Sequence, residues 1–260
     1  MKHPVIAAIT VVSTLIAKSA LASTFVFVHG AFGDAHAWDS VKPVLEAAGH
    51  HVIAVNLPAH GGDSTPVSDI SLQSYVRTTE QALSSVSGKV VLVGHSLSGM
   101  VISQVAEDMP QKIERLVYVS AFVPKNGDSA IALLQKDKQS ILGSFLDFSA
   151  DKSTATIRPD GRVAAVCADC PEPVKQFLSQ NNAVEPMQPF SDKVHLTKAH
   201  FGKVQKAYIF TSQDKALGYN IQKWMVKRTG IKRTATFDTS HLSFIVDPNG
   251  FSNQLVQLTK

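Results

Sequence analysis

The sequence predicts an α/β fold, a doubly wound and mostly parallel sheet that carries an inserted lid. Two observations predict this class. Short, continuous apolar runs alternate with segments of helical periodicity from residue 24 to residue 122, and the alternation returns from residue 207 onward. Strands that are apolar on both faces are typical of a parallel sheet covered by helices on each side. The 260 residues, 44% of them apolar, are enough to bury one large core.

The first part of the sheet is predicted from four strands and the helices between them. Ser71 has a side chain that can cap a helix, and Gly49 and Pro110 are typical of positions where a helix ends. The predicted strands are residues 25–28, 51–55, 90–93 and 116–119. The predicted helices contain Trp38, Val41, Leu45 and Ala48, then Leu72, Val76, Thr79 and Leu83, then residues 97–109.

Residues 123–203 lack this alternation, and we expect them to form the lid. Within them, residues 154–157 and 162–166 flank Asp160 and Gly161, a pair typical of the tight turn of a β-hairpin. We therefore predict a hairpin there. The remaining predicted elements are a strand at 207–210, a helix at 220–229 stopped by Gly230, a strand at 234–237 and a closing helix after Pro248.

Residues 1–22 have the pattern of a secretory signal peptide. A short polar start precedes an apolar stretch, and Ala20-Leu21-Ala22 matches the small residues of a cleavage site. The apolar stretch, interrupted by Lys18, is shorter than the roughly 20 residues of a membrane-spanning helix. We therefore expect a bacterial protein whose mature domain, residues 23–260, is periplasmic or secreted and makes no membrane contact after the signal is removed.

The two cysteines, Cys167 and Cys170, form a C-x-x-C segment within the lid. In an oxidising compartment they can pair as a small structural disulfide, which is the interpretation we favour. A redox-active pair is the alternative, but no thioredoxin-like strand–helix–strand context surrounds them. Two cysteines alone cannot complete a tetrahedral zinc site, and we predict no metal.

The charge pattern gives no support for nucleic acid as a partner. The formal net charge is +4, and the basic residues are scattered along the chain. Nucleic-acid and membrane-surface binding usually need a basic run or patch, which this sequence lacks. We expect the partner to be a small molecule.

Ser96 lies in the most informative stretch of the chain. A short apolar strand runs into Gly94-His95-Ser96, and a helical pattern follows at once. This is the setting of a nucleophile elbow, a strained turn that exposes a serine hydroxyl and needs small neighbours. The position two after the serine is usually Gly, but here it is Ser98, followed by Gly99. The alternative is a buried strand that simply ends in a Gly-Ser turn.

A serine hydroxyl needs a base to take its proton and a carboxylate to orient that base. His241 and Asp214 lie in the loops that follow the last two predicted strands. Ligands of open parallel sheets bind beyond the carboxyl ends of the strands, where Ser96 also lies. We therefore predict that Ser96, Asp214 and His241 form a catalytic triad. Asp128, at the lid entrance, and Asp238, nearly adjacent to the histidine, are the alternative acids.

Acyl transfer also needs N–H donors for the oxyanion that develops on the carbonyl. We predict the amide of Leu97, directly after the serine, as one donor. The amide of Ala31, in the loop after the first strand, is predicted as the other, and Gly30 allows the backbone to approach closely. The alternative is that His29 and Gly30 only make a turn.

With these residues assigned, the chain resembles the α/β-hydrolase superfamily over its mature length, including the order nucleophile, acid, base. More narrowly, it is similar to the plant methylesterase and hydroxynitrile lyase family and its bacterial esterase relatives. The matching stretches are Phe27-Val28-His29-Gly30-Ala31 with Trp38 downstream, Val44-Leu45-Glu46-Ala47-Ala48-Gly49-His50, Val91-Leu92-Val93-Gly94-His95-Ser96, Pro110-Gln111-Lys112-Ile113, Pro186-Met187-Gln188-Pro189-Phe190, Phe201-Gly202, and Tyr208-Ile209 leading to Asp214-Lys215.

The resemblance implies a serine carboxylesterase that hydrolyses small esters without a cofactor, through an acyl-enzyme intermediate, and that forms a homodimer. A hydroxynitrile lyase of the same fold is one alternative. The lyases are expected to carry Thr after the first-strand His and Lys after the catalytic His, where this sequence has Gly30 and Leu242. A ligand-binding protein without turnover is the other alternative, and the intact serine, aspartate and histidine argue against it.

The resemblance also implies an apolar pocket beneath the lid. We expect five side chains to line it: Phe32, Trp38, Phe122, Leu134 and Phe145. Apolar walls favour aromatic or medium-length acyl groups over charged ones.

Overall fold

The computed structural model describes residues 22–260. The predicted signal peptide, residues 1–22, lies outside the described residues except for its last position. The strands are β1 (Thr24–Val28), β2 (His51–Val55), β3 (Val90–His95), β4 (Ile113–Val119), β5 (Leu146–Phe148), β6 (Thr154–Ile157), β7 (Glu185–Pro186), β8 (Gln205–Thr211) and β9 (Arg233–Phe237).

The helices have the following bounds. They are α1 (Lys42–Ala47), α2 (Leu72–Ser84), α3 (Ser98–Asp108), α4 (Ala130–Leu134), α5 (Pro159–Gly161), α6 (Glu172–Gln180), α7 (Gln188–Ser191), α8 (Tyr219–Thr229), α9 (Ser243–Val246) and α10 (Pro248–Thr259). Short 3₁₀ turns cover Ala35–Trp38, Val67–Asp69, Pro110–Lys112, Leu142–Phe145 and Phe201–Lys203, and a π-helical turn covers Arg162–Val166.

Six strands form one sheet in the order β2-β1-β3-β4-β8-β9, and every neighbouring pair is parallel. This confirms the predicted doubly wound sheet. From β1 the chain moves to one side to form β2, then crosses to the other side to form β3. The strand order therefore reverses between β1 and β3, and a crevice at their carboxyl ends is the expected place for a ligand.

The core lies in two layers, one on each face of this sheet. Along β1, Val26 and Val28 pack in the layer that contains α2 and α3, whereas Phe25 and Phe27 pack in the layer that contains α10. Successive side chains of a strand point to opposite faces, so an all-apolar strand supplies both layers. This explains why the predicted strands are continuous apolar runs.

Helix ends follow local chemistry that the sequence displays. Ser71 caps α2 by accepting a hydrogen bond from the Ser74 amide, and the Ser74 side chain bonds back to the Ser71 amide. Two donors that a helix start leaves unsatisfied are thereby paired. At the other end of the chain, α8 stops at Gly230, whose φ of 74° is left-handed and suits glycine.

The segment between β4 and β8 forms a second, antiparallel sheet in the order β5-β6-β7, with short helices around it. The predicted hairpin of residues 154–157 and 162–166 is wrong, because β6 pairs with β5 and the later residues form the π-helical turn. Gly161 has a φ of −71°, so it does not supply the positive φ that an Asp-Gly hairpin turn requires. Instead, Pro159 begins a helical turn that packs Gly161 against Phe145.

Cys167 and Cys170 are joined in a disulfide bond, and both side chains are buried. The bond closes a turn that contains Asp169. The Asp169 carboxylate accepts hydrogen bonds from the Ser240 amide, at 2.8 Å, and from the Ser240 hydroxyl. A short loop of the lid region is thereby tied to the residue that precedes His241.

Within residues 22–260, no helix combines the length and the apolar character that crossing a membrane requires.

The start of α3 packs so closely that Gly99 tolerates no side chain. A Cβ added there would lie 2.0 Å from the backbone oxygen of Phe122, which cannot move as a flexible side chain could. We expect Gly99→Ala to lower the free energy of unfolding by about 1–3 kcal/mol, measured by urea denaturation.

Gly143→Ala is the matched control, because a Cβ at Gly143 meets nothing within 4 Å. It should change the free energy of unfolding by less than about 0.5 kcal/mol. Equal effects of the two substitutions would contradict the packing argument.

Candidate active site

Ser96 occupies a strained turn between β3 and α3. Its φ is +53°, a left-handed conformation that is uncommon for a residue with a side chain. The turn packs against Gly30 of the loop after β1, where a Cβ would lie 2.8 Å from the Ser96 Cβ and 2.6 Å from Nδ1 of His95. Glycine at position 30 therefore lets the two loops meet.

Ser98 makes a separate hydrogen bond at this turn. It is buried, and its hydroxyl donates a hydrogen bond to the carbonyl oxygen of His29. The departure from glycine at this position thus adds a link between the start of α3 and the end of β1. It does not disturb the turn that carries Ser96.

The carboxylate of Asp214 is buried and held by several donors. Nδ1 of His241 lies 2.6 Å from its Oδ2. The other donors are the Thr211 hydroxyl at 2.9 Å, Nε2 of Gln222 at 3.0 Å, and the backbone amides of Ala216 at 2.8 Å and Leu217 at 2.9 Å. A buried carboxylate needs such donors to remain ionised.

This pairing fixes the orientation of His241. Since the carboxylate accepts at Nδ1, the neutral ring carries its proton there and leaves Nε2 free to act as a base. Ser96 and His241 line the same cavity. In residues 22–260 the Ser96 hydroxyl makes no hydrogen bond; in free enzymes this contact is often loose and tightens when substrate binds.

The alternative acids lie elsewhere. Asp128 pairs with Arg228 and accepts a hydrogen bond from the Lys125 amide at 2.8 Å. Asp238 is bonded to Ser212 and Gln213, whose hydrogen bonds lower the pKa of its carboxyl. Asp214 is therefore the carboxylate that the fold brings to His241.

Two backbone amides close to Ser96 have no acceptor among the described residues. They belong to Ala31 and Leu97, the two predicted oxyanion donors. Ala31 lines the cavity, and Leu97 follows Ser96 directly. Free N–H groups at this position can hold the charge that develops on a carbonyl oxygen.

Two further buried histidines are kept neutral. Burial, together with the nearby His60, lowers the pKa of His29 to about 3. Burial also places the pKa of His95 well below its ordinary range, and the neighbouring His241 lowers it further. Nε2 of His95 lies 3.2 Å from the carbonyl oxygen of His241, so a neutral His95 that donates this bond holds the backbone of His241 in place.

Glu185 is a functional candidate that the sequence did not reveal. It lies in β7 of the lid, is fully buried, and places Oε2 at 2.9 Å from Nε2 of His60 and at 2.7 Å from the amide of Phe32. Phe32 follows Ala31 and has a φ of +59°. The lid thereby holds the loop that carries the Ala31 amide.

The surroundings of His60 favour its charged form. Its Nδ1 faces the Pro58 carbonyl oxygen at 3.0 Å and its Nε2 faces Glu185, so a protonated ring can donate from both nitrogens. Burial alone would lower the pKa of His60, but the hydrogen bond and charge of Glu185 outweigh it, and the pKa is raised above 6.5.

The cavity has a volume of about 470 Å³, a size typical of small-molecule sites. Phe32, Phe122 and Leu134 line it. Trp38 and Phe145 do not, and these two expectations are wrong. Trp38 is fully buried between Phe27 and Phe244 in the core, and Phe145 packs on Gly161 within the lid.

The described chain contains no group of three or more His, Cys, Asp or Glu side chains that could hold a metal ion.

The His60–Glu185 pair should give the protein a distinct pH dependence. Because the folded pKa of His60 is raised, the stability from the pair is complete below pH 6.5 and is lost as the pH rises through the folded pKa. Glu185→Gln should remove this slope in urea denaturation between pH 6 and 9. Glu185→Ala, which leaves a buried cation unpaired, should cost about 3 kcal/mol near pH 6.

His36→Gln is the control for this experiment. The pKa of His36 is also raised, by its hydrogen bond and charge interaction with Asp39, but the pair is exposed. Its loss should leave the slope close to that of the unmodified protein. A slope that persists in Glu185→Gln would reject the assignment.

Known proteins are similar to this chain over most of its length. The family described as "Alpha/beta hydrolase family" matches residues 25–253. Methylesterase 8 of Arabidopsis thaliana is 30% identical over 249 residues, which covers 90% of this chain and 88% of that protein. Alpha-hydroxynitrile lyase of Arabidopsis thaliana is 29% identical over 246 residues, covering 89% of this chain and 95% of that protein.

The fold is shared with a solved structure. The crystal structure of polyneuridine aldehyde esterase has a TM-score of 0.83 and 24% identity, covering 92% of this chain and 100% of that chain. The family match spans nearly all of the described sheet and both loops that hold Asp214 and His241. The chain belongs to the α/β hydrolase family.

Proposed function

We propose that this chain is a serine carboxylesterase that hydrolyses small esters through an acyl-enzyme intermediate. One observation carries the proposal: the 2.6 Å hydrogen bond between Asp214 and His241, beside a cavity that Ser96 also lines. The similarity to a methylesterase supports the same reaction class.

In the first half of the reaction, the Ser96 hydroxyl attacks the ester carbonyl while Nε2 of His241 takes its proton. The Asp214 carboxylate stabilises the resulting imidazolium. The amides of Ala31 and Leu97 hold the oxyanion of the tetrahedral intermediate. This intermediate collapses when His241 returns the proton to the leaving alcohol.

In the second half, water replaces the alcohol. His241 takes a proton from this water, which attacks the acyl group on Ser96, and the same two amides hold the second oxyanion. The carboxylic acid then leaves, and the proton returns to Ser96. The ester and one water become an alcohol and an acid, so no cofactor is consumed.

A cyanohydrin-cleaving lyase is the second candidate, because one relative carries that name. Two observations disfavour it. A Cβ at Gly30 would lie 2.6 Å from His95, so the threonine expected of the lyases does not fit there. Leu242, where a lysine is expected, is buried and lines the cavity.

The proposed compartment is the bacterial periplasm or the exterior. The signal-like pattern of residues 1–22 supports it, as does the Cys167–Cys170 bond, since disulfides persist in oxidising compartments. Cells that express the full chain should export a protein that begins at Ser23, detectable by mass spectrometry. Detection of the protein only in the cytoplasm, with Met1 intact, would contradict export.

Ser96→Ala should abolish esterase activity. Without the nucleophile, we expect kcat for p-nitrophenyl butyrate to fall by about 10³-fold or more, leaving only catalysis by binding and the oxyanion donors. The assay follows nitrophenolate release.

Ser98→Ala is the matched control, because Ser98 is buried and donates to His29. It should retain kcat within about tenfold, since the nucleophile remains. Retained activity in Ser96→Ala, or absent hydrolysis of every ester tried by the unmodified chain, would reject the function.

The lyase alternative predicts cyanide release from mandelonitrile. We expect none above the rate without enzyme, whereas esters are hydrolysed by the same preparation. Cyanide release that Ser96→Ala abolishes would favour the lyase.

A further inference from the structure

The lid contributes a buried cation to the cavity wall. Arg162 begins the π-helical turn Arg162–Val166, is 7% exposed, and lines the same cavity as Ser96 and His241. Among residues 22–260 it is the one lysine or arginine that lines this cavity. The mechanism described above gives it no task.

The guanidinium of Arg162 has only neutral partners. Its Nη1 donates to the Leu178 carbonyl oxygen at 3.3 Å, and its Nη2 donates to Oδ1 of Asn182 at 3.2 Å. In the described part of the chain no carboxylate lies within 4.0 Å of it. A guanidinium has five N–H donors, so three remain without a protein acceptor.

Such a charge is costly to bury without a counter-ion. Burial lowers the pKa of Arg162, and no neighbouring anion offsets that effect. Arginine nevertheless stays protonated at neutral pH. Its remaining N–H donors are therefore available to water or to a ligand in the cavity that Arg162 lines.

The lid wall near Arg162 is mostly apolar. It contains Val166, Val174, Phe177 and Leu178, and Asn181 is its polar member. The acidic residue of the cavity, Asp34, belongs to the segment after β1, where its carboxylate accepts a hydrogen bond from the His36 amide. The positive charge of Arg162 is thus on the lid, and the negative charge of Asp34 is on the part of the chain that forms the parallel sheet.

From this cation without a counter-ion in a mostly apolar wall, we infer that Arg162 binds a carboxylate of the substrate. The preferred substrates are then half-esters, monoesters of dicarboxylic acids with an apolar body. Arginine can hold a carboxylate through two parallel hydrogen bonds, which fixes orientation as well as charge. The inference rests on the proposed esterase function and names its substrate class.

The chemistry at the ester is unchanged by this contact. Ser96 attacks the ester carbonyl, the alcohol leaves with the proton from His241, and water releases the acyl group. The anchored carboxylate takes no part in bond making, and the products are an alcohol and a dicarboxylate. Its role is to hold the ester at Ser96.

Arg162 also supports α6, because Leu178 lies near the end of that helix. A residue with that structural role alone would affect all esters equally. The distinguishing quantity is therefore the ratio of kcat/KM for a half-ester to kcat/KM for the matching neutral diester.

Monomethyl and dimethyl adipate form such a pair, with initial rates measured by chromatography. We expect the unmodified chain to prefer the monomethyl ester. Arg162→Gln should lower this preference by about tenfold to a hundredfold, the range of a lost charge-assisted hydrogen bond. Arg162→Lys keeps the charge but not the planar fork, and should retain part of the preference.

Arg158→Gln is the matched control. It removes one positive charge from the same part of the lid, but Arg158 is partly exposed and does not line the cavity. The Arg158→Gln variant should prefer the monomethyl ester to the same extent as the unmodified chain. An unmodified chain without preference, or an equal loss on both esters in Arg162→Gln, would overturn the inference.

Binding to the Ser96→Ala variant tests the inference without turnover. Calorimetry should show monomethyl adipate bound at least tenfold more tightly than dimethyl adipate, and the added Arg162→Gln change should remove the difference. Equal affinities would overturn the inference. If Ser96→Ala binds the monomethyl ester selectively but the unmodified chain hydrolyses no ester, the esterase function is rejected and the carboxylate site is supported.

Discussion

The site depends on the buried carboxylate of Asp214. Two backbone amides, a hydroxyl, a side-chain amide and the imidazole of His241 all donate to its two oxygens. An ionised group buried without them would cost several kcal/mol. The loop after β8, the start of α8 and the loop after β9 are therefore held together by one charge. The orientation of the imidazole is a consequence of that packing.

Much of this arrangement could be predicted because its signals are local. The apolar strands, the serine cap of α2 and the glycine that ends α8 each depend on a few neighbouring residues. The carboxyl ends of parallel strands share one edge, so Ser96, Asp214 and His241 could be brought together without knowledge of distances. These residues are far apart in the sequence, but the sheet topology brings them to the same edge.

The predictions from sequence were wrong or incomplete where packing between distant segments determines the local structure. The backbone of Gly161 is set by Phe145 and Pro159, so an Asp-Gly pair that suits a turn became helical. Trp38 was expected in the pocket but lies in the core, because periodicity does not say which layer a helix face meets. Glu185 and His60 are 125 positions apart, and nothing local marks either as buried.

Polar contacts join the lid to the edge of the sheet where Ser96 and His241 lie. Glu185 reaches the loop of Ala31, and Asp169 reaches the loop of His241. The Cys167–Cys170 bond closes a very short ring, so it restricts the unfolded chain less than a long loop would. The bond closes the turn that contains Asp169, whose carboxylate accepts hydrogen bonds from Ser240. Reduction of the bond would therefore change the melting temperature little. It would, however, loosen the loop that holds the imidazole of His241. Thermal stability alone would then misjudge the quality of a protein prepared with reductant.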